Sequence, residues 1–460
     1  MIELVIKRLS SILLMILILY IQAFAENLTL VEAVRKGLKE DNLVKMGITM
    51  LSSANAGLKQ AEMSRFGELK IKATYTKSDD PVYVFATTMK QGDFSMAYMN
   101  NINNPDALGN YMIGFEAGIP IFTGFSISNY IKSAKIREEI ARDNYQRIKA
   151  EISFKIIMHW LNVLLMDSLS KLAANTVSSA ENELKIAQML KERGVVLGSD
   201  YYGAEAILSS LKGYLLTWNK NLELEKEKLA VLLGLRLDQF PQLDGVLTET
   251  IYPEKDIKEL LASIENKRLD IKSIEKMINI YSLSESIVKN SILPTIQIFG
   301  SLEVNSKELS DFNSNHLAGI RIIMPIGDPG YFAKKELAKN ETFIAREKLL
   351  EAKKQAIIDA NESLINYKIA KKNIDIAKQT TEKAKQSLAL LLPLYRQGRQ
   401  SVLEVLRAQS MVMQSEASYY ESLYKIHLFY AKILLVAEEL NENTISEISD
   451  KLSTKKGDSI

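Results

Sequence analysis

The chain has 460 residues, 47% apolar, 25% charged and 8% aromatic, which fits a folded protein with a sizeable core and excludes a disordered one. Lys and Arg number 58 against 56 Asp and Glu, a net charge of +2, which argues against a nucleic-acid binder. Cysteine is absent, so disulfides, thiolate metal sites, iron–sulfur clusters, a cysteine nucleophile and a lipid-modified N-terminal cysteine are all excluded.

At the N-terminus, Lys7 and Arg8 precede an apolar run from Ile12 to Ile21, and Ala23-Phe24-Ala25 gives a small-x-small cleavage pattern. Residues 1–25 are therefore expected to be a secretory signal, with an uncleaved anchor as the alternative. No later segment approaches ~18 consecutive apolar residues. The mature chain is expected to be either soluble outside the cytoplasm or held in a membrane by β-strands.

A helical tract spans Thr29–Phe66. Two alternating segments follow. In one, Ile71, Ala73 and Tyr75 alternate with Lys70, Lys72 and Thr74. In the other, Tyr111, Ile113, Phe115, Ala117 and Ile119 alternate with Met112, Gly114, Glu116 and Gly118. Period-two alternation predicts strands with one apolar face. Between them, Lys77 to Gly109 reads as a long surface loop. No proline lies between Pro120 and Pro241 or between Pro329 and Pro393, which leaves room for very long helices. Ser126–Arg193 carries a helical stripe (Ile157, Leu161, Leu164, Ser168, Leu172) and would extend roughly 100 Å at 1.5 Å per residue. A helix of that length needs a partner along it, hence coiled-coil packing.

The pattern then repeats. A linker, 236–255, is followed by a helical tract, Asp256–Ile292. Next come two more alternating segments. One sets Ile296, Ile298, Leu302 and Val304 against Thr295, Gln297, Ser301 and Glu303. The other places Ala318, Ile320, Ile322 and Met324 together, with Gly319 and Arg321 opposite. A second long helix ends at Arg396-Gln397-Gly398, as the first ends at Glu192-Arg193-Gly194. The Pro120–Gly194 and Pro325–Gly398 intervals agree to within one residue. Another helix follows each glycine, to about Leu235 and about Leu440. The chain therefore reads as a signal (1–25), a first repeat (26–235), a linker (236–255), a second repeat (256–440) and a loose polar tail (441–460).

Four strands of ~10 residues suit the span of an outer-membrane barrel but cannot close one alone, so several chains must combine. The alternative is a small amphipathic sheet packed on the helices of a soluble protein.

The duplicated helix–strand–strand–helix–helix order, the segment Phe115-Glu116-Ala117-Gly118-Ile119-Pro120-Ile121-Phe122-Thr123-Gly124 and the segment Gln397-Gly398-Arg399-Gln400-Ser401-Val402-Leu403-Glu404-Val405-Leu406-Arg407-Ala408 resemble the TolC family of outer-membrane efflux channels over nearly the whole mature chain. The resemblance implies a mainly helical fold with transmembrane β-structure. It implies a homotrimer forming a twelve-stranded β-barrel in the outer membrane and an α-helical barrel reaching into the periplasm. It implies a passive exit duct, for efflux or type I secretion, docked through a periplasmic adaptor to an inner-membrane pump. In the same resemblance Gly194, Val195, Val196 and Leu197 match one adaptor-contacting turn, and Gly398, Arg399, Gln400 and Ser401 match the other. Ser199, Asp200, Tyr395 and Glu404 match a pore constriction, while Arg407 and Gln400 depart from the family pattern of charge. For Ser199 or Asp200 an N-cap role is the alternative. Pro393, within the last turns of the second long helix, is expected to kink the tip. If the apolar strand faces meet lipid, Glu116 and Arg321 point into the lumen.

No phosphate-binding loop, His-Glu-x-x-His or Gly-x-Ser-x-Gly is present, and His159, His316 and His427 are scattered. No cofactor, metal or enzymatic activity is expected. A soluble periplasmic coiled-coil spacer or adaptor is the competing reading.

Overall fold

The computed structural model describes residues 27–453; the expected signal, 1–25, lies outside the described residues. In chain order the elements are α1 (Leu30–Glu40), α2 (Asn42–Met63), β1 (Glu68–Ser78), α3 (Pro81–Gln91), β2 (Leu108–Thr123), α4 (Ser126–Glu192), α5 (Gly198–Leu232), α6 (Ile257–Lys267), α7 (Leu269–Asn290), β3 (Thr295–Ser306), β4 (Asn313–Ile323), α8 (Tyr331–Arg396), α9 (Val402–Val436) and α10 (Glu442–Leu452). The helices α4 and α8, at 67 and 66 residues, are far beyond the ordinary globular length of about 11–12. The described chain divides into two compact units. One is helical and holds the residues up to Ile48, Asp143–Lys272 and Glu351 onward; the other holds Thr49–Arg142 and Ser273–Leu350, with all four strands.

Local chemistry sets the helix ends. Thr29 and Glu32 form a reciprocal capping box at the start of α1. Gly194 and Gly398, at φ +75° and +71°, end α4 and α8 in the left-handed conformation that a side chain resists. Past each glycine the next amide returns five residues, Val195 to the Leu190 carbonyl and Arg399 to the Leu394 carbonyl, each at 2.9 Å. Pro393 lies inside α8, which continues through it to Arg396.

In the helical unit, α4 buries Ile156, Ile157, Trp160 and Leu161 completely. One 18-residue stretch of α4 is apolar and long enough to cross a membrane, yet 56% of it is buried within the protein, as a core helix. Gly37 lets α1 approach α4 closely, since a Cβ there would come within 2.4 Å of Ile156 Cδ1. In the strand-bearing unit, Ala61 of α2 packs with Ile131 and Ala134 of α4.

Two expectations need correction, and the linker has a fixed conformation. The loop between β1 and β2 contains α3, capped by Asp80, opened by Pro81 and closed by Gly92 at φ 78°. The tail is not loose over its first half: 442–452 is α10, which buries Ile445, Ile448 and Leu452. The linker is a fixed strap. Leu28 pairs with Leu243, the Val246 amide reaches the Leu452 carbonyl at 2.8 Å, and Tyr252 is buried.

The strap is anchored by a polar core on α8 and α9. The Tyr367 hydroxyl donates to the Tyr252 carbonyl at 2.9 Å, and the Tyr252 ring stacks on Tyr430 at 3.9 Å. His427 Nε2 lies 3.1 Å from the Thr248 carbonyl and Nδ1 lies 2.6 Å from the Tyr252 hydroxyl. A carbonyl only accepts, so Nε2 carries the proton and Nδ1 accepts from tyrosine. Burial pushes this imidazole down to about 4, against the Thr248 hydrogen bond that favours its proton. The unfolded chain therefore takes up a proton near the ordinary value while the folded chain resists it. His427 contributes fully above that ordinary value, and its roughly 3 kcal/mol fades as pH falls through about 6.5 toward 4. Thermal melts across this window should show that slope, and His427→Gln should flatten it; an unchanged slope would mean that His427 titrates normally.

Candidate functional site: a two-faced sheet and a hairpin tip

The four strands form one antiparallel sheet in the order β1-β2-β3-β4. Register aligns side chains of one character across it. Ile71, Phe115 and Leu302 lie in one row, and Ile119, Ile298 and Ile320 in another. All six are exposed, Ile71 at 67% and Ile320 at 69%. An apolar band of this extent on a surface marks contact with something other than water. Pro120 is tolerated in a central strand because the register shifts between Pro120 and Phe122, a bulge.

The opposite face is polar. Lys70, Glu116 and Ser301 are neighbours across it, and Lys72 Nζ sits 2.6 Å from Glu116. Arg321 pairs in register with Gln297 and stacks over the Phe299 ring at 4.6 Å. Among the described residues β1 pairs only with β2, and β4 only with β3, so both outer edges are open. α3 lies against β2, β3 and β4.

At the far end of the helical unit the α4–α5 and α8–α9 turns share one core, including Ala180, Leu184, Leu208, Tyr395, Val402 and Leu406. Gly203 of α5 allows the close fit, since a Cβ would meet Leu403 at 3.1 Å. Beyond this core Val195 and Leu197 stand 66% and 70% exposed, with Val196 half-buried between them. Lys191 closes over the rings of Tyr201 and Tyr202 at 4.3 and 4.2 Å. Gly398, Arg399 and Gln400 are exposed, and Ser401 caps α9 by accepting from the Glu404 amide at 3.4 Å.

The expected constriction residues separate. Leu197, not Ser199 or Asp200, is the N-cap of α5; Ser199 and Asp200 lie within its first turn, joined at 3.4 Å. Glu404 is bound by Arg407 at 2.7 Å, so the acid of this turn is neutralised by its own helix. Tyr395 is only 4% exposed, because its helix face turns inward onto α4 and its hydroxyl donates to the Glu183 carbonyl at 3.3 Å. Burial and the nearby Glu183 push its phenol up to about 12. The Tyr395 side chain is enclosed in the tip core.

Sequence reasoning missed the group around α3: Lys90, Gln91, Asn110, Glu303 and Asn305. The Asp80-Pro81 start and Gly92 stop were the available signals. It also missed the partner of His159, Glu225 on α5, at 2.8 Å.

Solved structures share this architecture. The Campylobacter jejuni CmeC outer membrane channel matches with a TM-score of 0.77 at 16% identity, over 93% of this chain and 90% of that one. The outer membrane protein VceC from Vibrio cholerae matches at 0.75 and 15%, over 89% and 95%. The open-state Neisseria gonorrhoeae MtrE outer membrane channel matches at 0.75 and 15%, over 90% of each. By sequence, no protein-family model and no curated protein matches the chain. The fold is that of the TolC-type outer-membrane channels: long paired helices with a small antiparallel sheet, built from a duplicated unit.

The tip core gives a direct test. Tyr395→Phe removes one hydrogen bond and should cost about 1 kcal/mol. Tyr395→Ala opens a cavity and should cost about 3–5 kcal/mol. Denaturant unfolding followed by circular dichroism measures both; equal costs would show that the ring is not packed.

Proposed function

We propose that this chain is one third of an outer-membrane exit duct. The observation that carries the proposal is the sheet, whose outer face is apolar and exposed and whose two edges are open. In hydrocarbon every backbone donor and acceptor needs a protein partner, so an open sheet must be closed by further strands. Three copies would join β4 of one to β1 of the next and give twelve strands, with the apolar band in lipid and the face of Glu116 and Arg321 around an aqueous lumen. The exposed seam of α8 supports the same assembly. Leu337, Ile344, Ile358 and Ile365 recur at heptad intervals and remain exposed on the single chain, as a surface waiting for a neighbouring helix. A soluble spacer would leave both surfaces uncovered.

The helical part then extends into the periplasm. The turns Gly194–Leu197 and Gly398–Ser401 form the docking surface for a periplasmic adaptor and, through it, an inner-membrane pump. Val195 and Leu197 supply its exposed apolar contact. Asp200 and Glu404, repeated by symmetry, ring the exit at the tip, with Arg407 moderating the charge. The duct is passive and carries drugs, ions or secreted proteins according to the pump that feeds it; it performs no catalysis.

Detergent extraction of the outer-membrane fraction, followed by light scattering corrected for bound detergent, should give a protein mass of three chains. The same particles should conduct ions in planar bilayers. A monomer released into the soluble periplasmic fraction would refute the shared barrel.

A further inference from the structure

α3 sits on the polar face of the sheet, at the end where β1 turns toward β2 and β3 toward β4. The strand register puts Glu303, Asn305, Asn313 and Asn315 on the same face as Glu116 and Ser301. Glu303, Asn313 and Asn315 engage the end of α3 directly, and Asn305 does so through Asn110. Lys90 Nζ lies 2.6 Å from Glu303. The Lys90 carbonyl accepts from Asn313 at 2.9 Å and Asn315 at 3.0 Å. Gln91 donates to the Gly109 carbonyl at 3.0 Å and to Asn110 at 2.9 Å, and Asn110 donates onward to Asn305 at 2.8 Å. The contact buries Val84, Thr87, Thr88 and Gln91 on one side of the helix.

This seal is polar and incompletely satisfied. Gln91 Oε1 and Asn305 Nδ2 are buried without a hydrogen-bond partner. Each such group is destabilising while buried and dry, and water would satisfy both if the helix lifted. The polar remainder of the seal is one ion pair and a few amide bonds, all of which water can replace, and Val84 adds a single buried apolar side chain. The segment is also built to move as a unit. Asp80 caps its start by accepting from the Tyr83 amide at 2.7 Å, Gly92 ends it in the left-handed conformation, and residues 93–107 hold only one short turn, Met96–Asn101.

We propose that α3 is a releasable lid over the outer mouth of the duct, latched by Lys90 and Glu303, which slows entry of bulky solutes from outside. The inference rests on reading the polar face as a lumen. It adds a second restriction, at the opposite end of the sheet-bearing unit from the helical connections, and assigns it to named residues.

The chain has no cysteine, so Ser301→Cys is a single reporter on the polar face, two residues along β3 from Glu303. Intact cells would be treated with a small charged maleimide and, separately, with a bulky polyethylene-glycol maleimide. The small reagent should label Ser301→Cys readily. The bulky reagent should label it slowly, and roughly two- to fivefold faster when Lys90→Ala or Glu303→Gln removes the latch. The exchange Lys90→Glu with Glu303→Lys should restore slow labelling. Fast bulky labelling in every background would show that α3 restricts nothing. Slow bulky labelling unaffected by the latch variants would show that Lys90 and Glu303 do not hold it. Failure of the small reagent to reach Ser301→Cys in outer-membrane protein would overturn the lumen reading itself, and the lid with it.

Discussion

An antiparallel sheet of four strands has two outer edges, and among the described residues nothing pairs with them. β1 and β4 lie at opposite sides of the sheet, with the apolar band spread between them. That arrangement is untenable in water, where the band would aggregate, and untenable in lipid, where the edges would be unsatisfied. In the proposed assembly, closure by other copies would resolve both at once. A helix the length of α8 gains little from intrinsic propensity and needs packing along its whole length. Part of that packing is internal, through Ala356, Ala360, Leu364 and Tyr367; the rest is the exposed heptad seam.

The duplicated order was legible because its signals are local and strong. Proline-free tracts bounded by glycine marked α4 and α8 within one residue at their C-terminal ends, since a left-handed glycine ends a helix by backbone geometry alone. Strand faces followed from alternation, and the register bears out the grouping of Ile71, Phe115 and Ile320 on one side. What stayed hidden depends on contacts distant in sequence. α3 is a single short helix held by residues of three strands, so its Asp80-Pro81 and Gly92 boundaries meant little without them. The linker looked like a connector because its anchors, His427 and Tyr367, lie more than a hundred residues away. The burial of Tyr395 could not be read from its neighbours, because a tyrosine one turn from a helix end is as easily exposed as packed.

Charge at the tip follows the same logic. Acidic residues after a helix start are favoured by the helix dipole whether or not they face a pore. Asp200 and Glu404 both occupy such first-turn positions. The sequence places the carboxylates, and the structure adds the Arg407 guanidinium that offsets one of them. Three copies of that pair would present alternating signs around an aperture rather than a uniform acidic ring, which weakens any preference for cations there.

Buried polar groups separate what is fixed from what can move. Arg268 is almost wholly buried, yet it reaches Asp270 at 2.9 Å and Asp359 at 3.1 Å, and Arg147 holds Glu438 at 2.6 Å close by in the same unit. Burial alone would raise the Asp359 carboxyl, but hydrogen bonds from Gln355 and Arg268 outweigh it and hold the group below its ordinary value. Pulling this cluster apart would strand charges in a low-dielectric interior, a large cost that resists deformation. The amides under α3 are the opposite case. They are neutral, two of their atoms are already unpartnered, and exposure to water improves their bonding. In the Arg268 cluster the buried groups are charged and paired across helices, although Arg268 Nη1 is itself without a partner. Under α3 one ion pair, Lys90 with Glu303, sits among neutral amides that are incompletely matched, which is the condition a releasable contact requires.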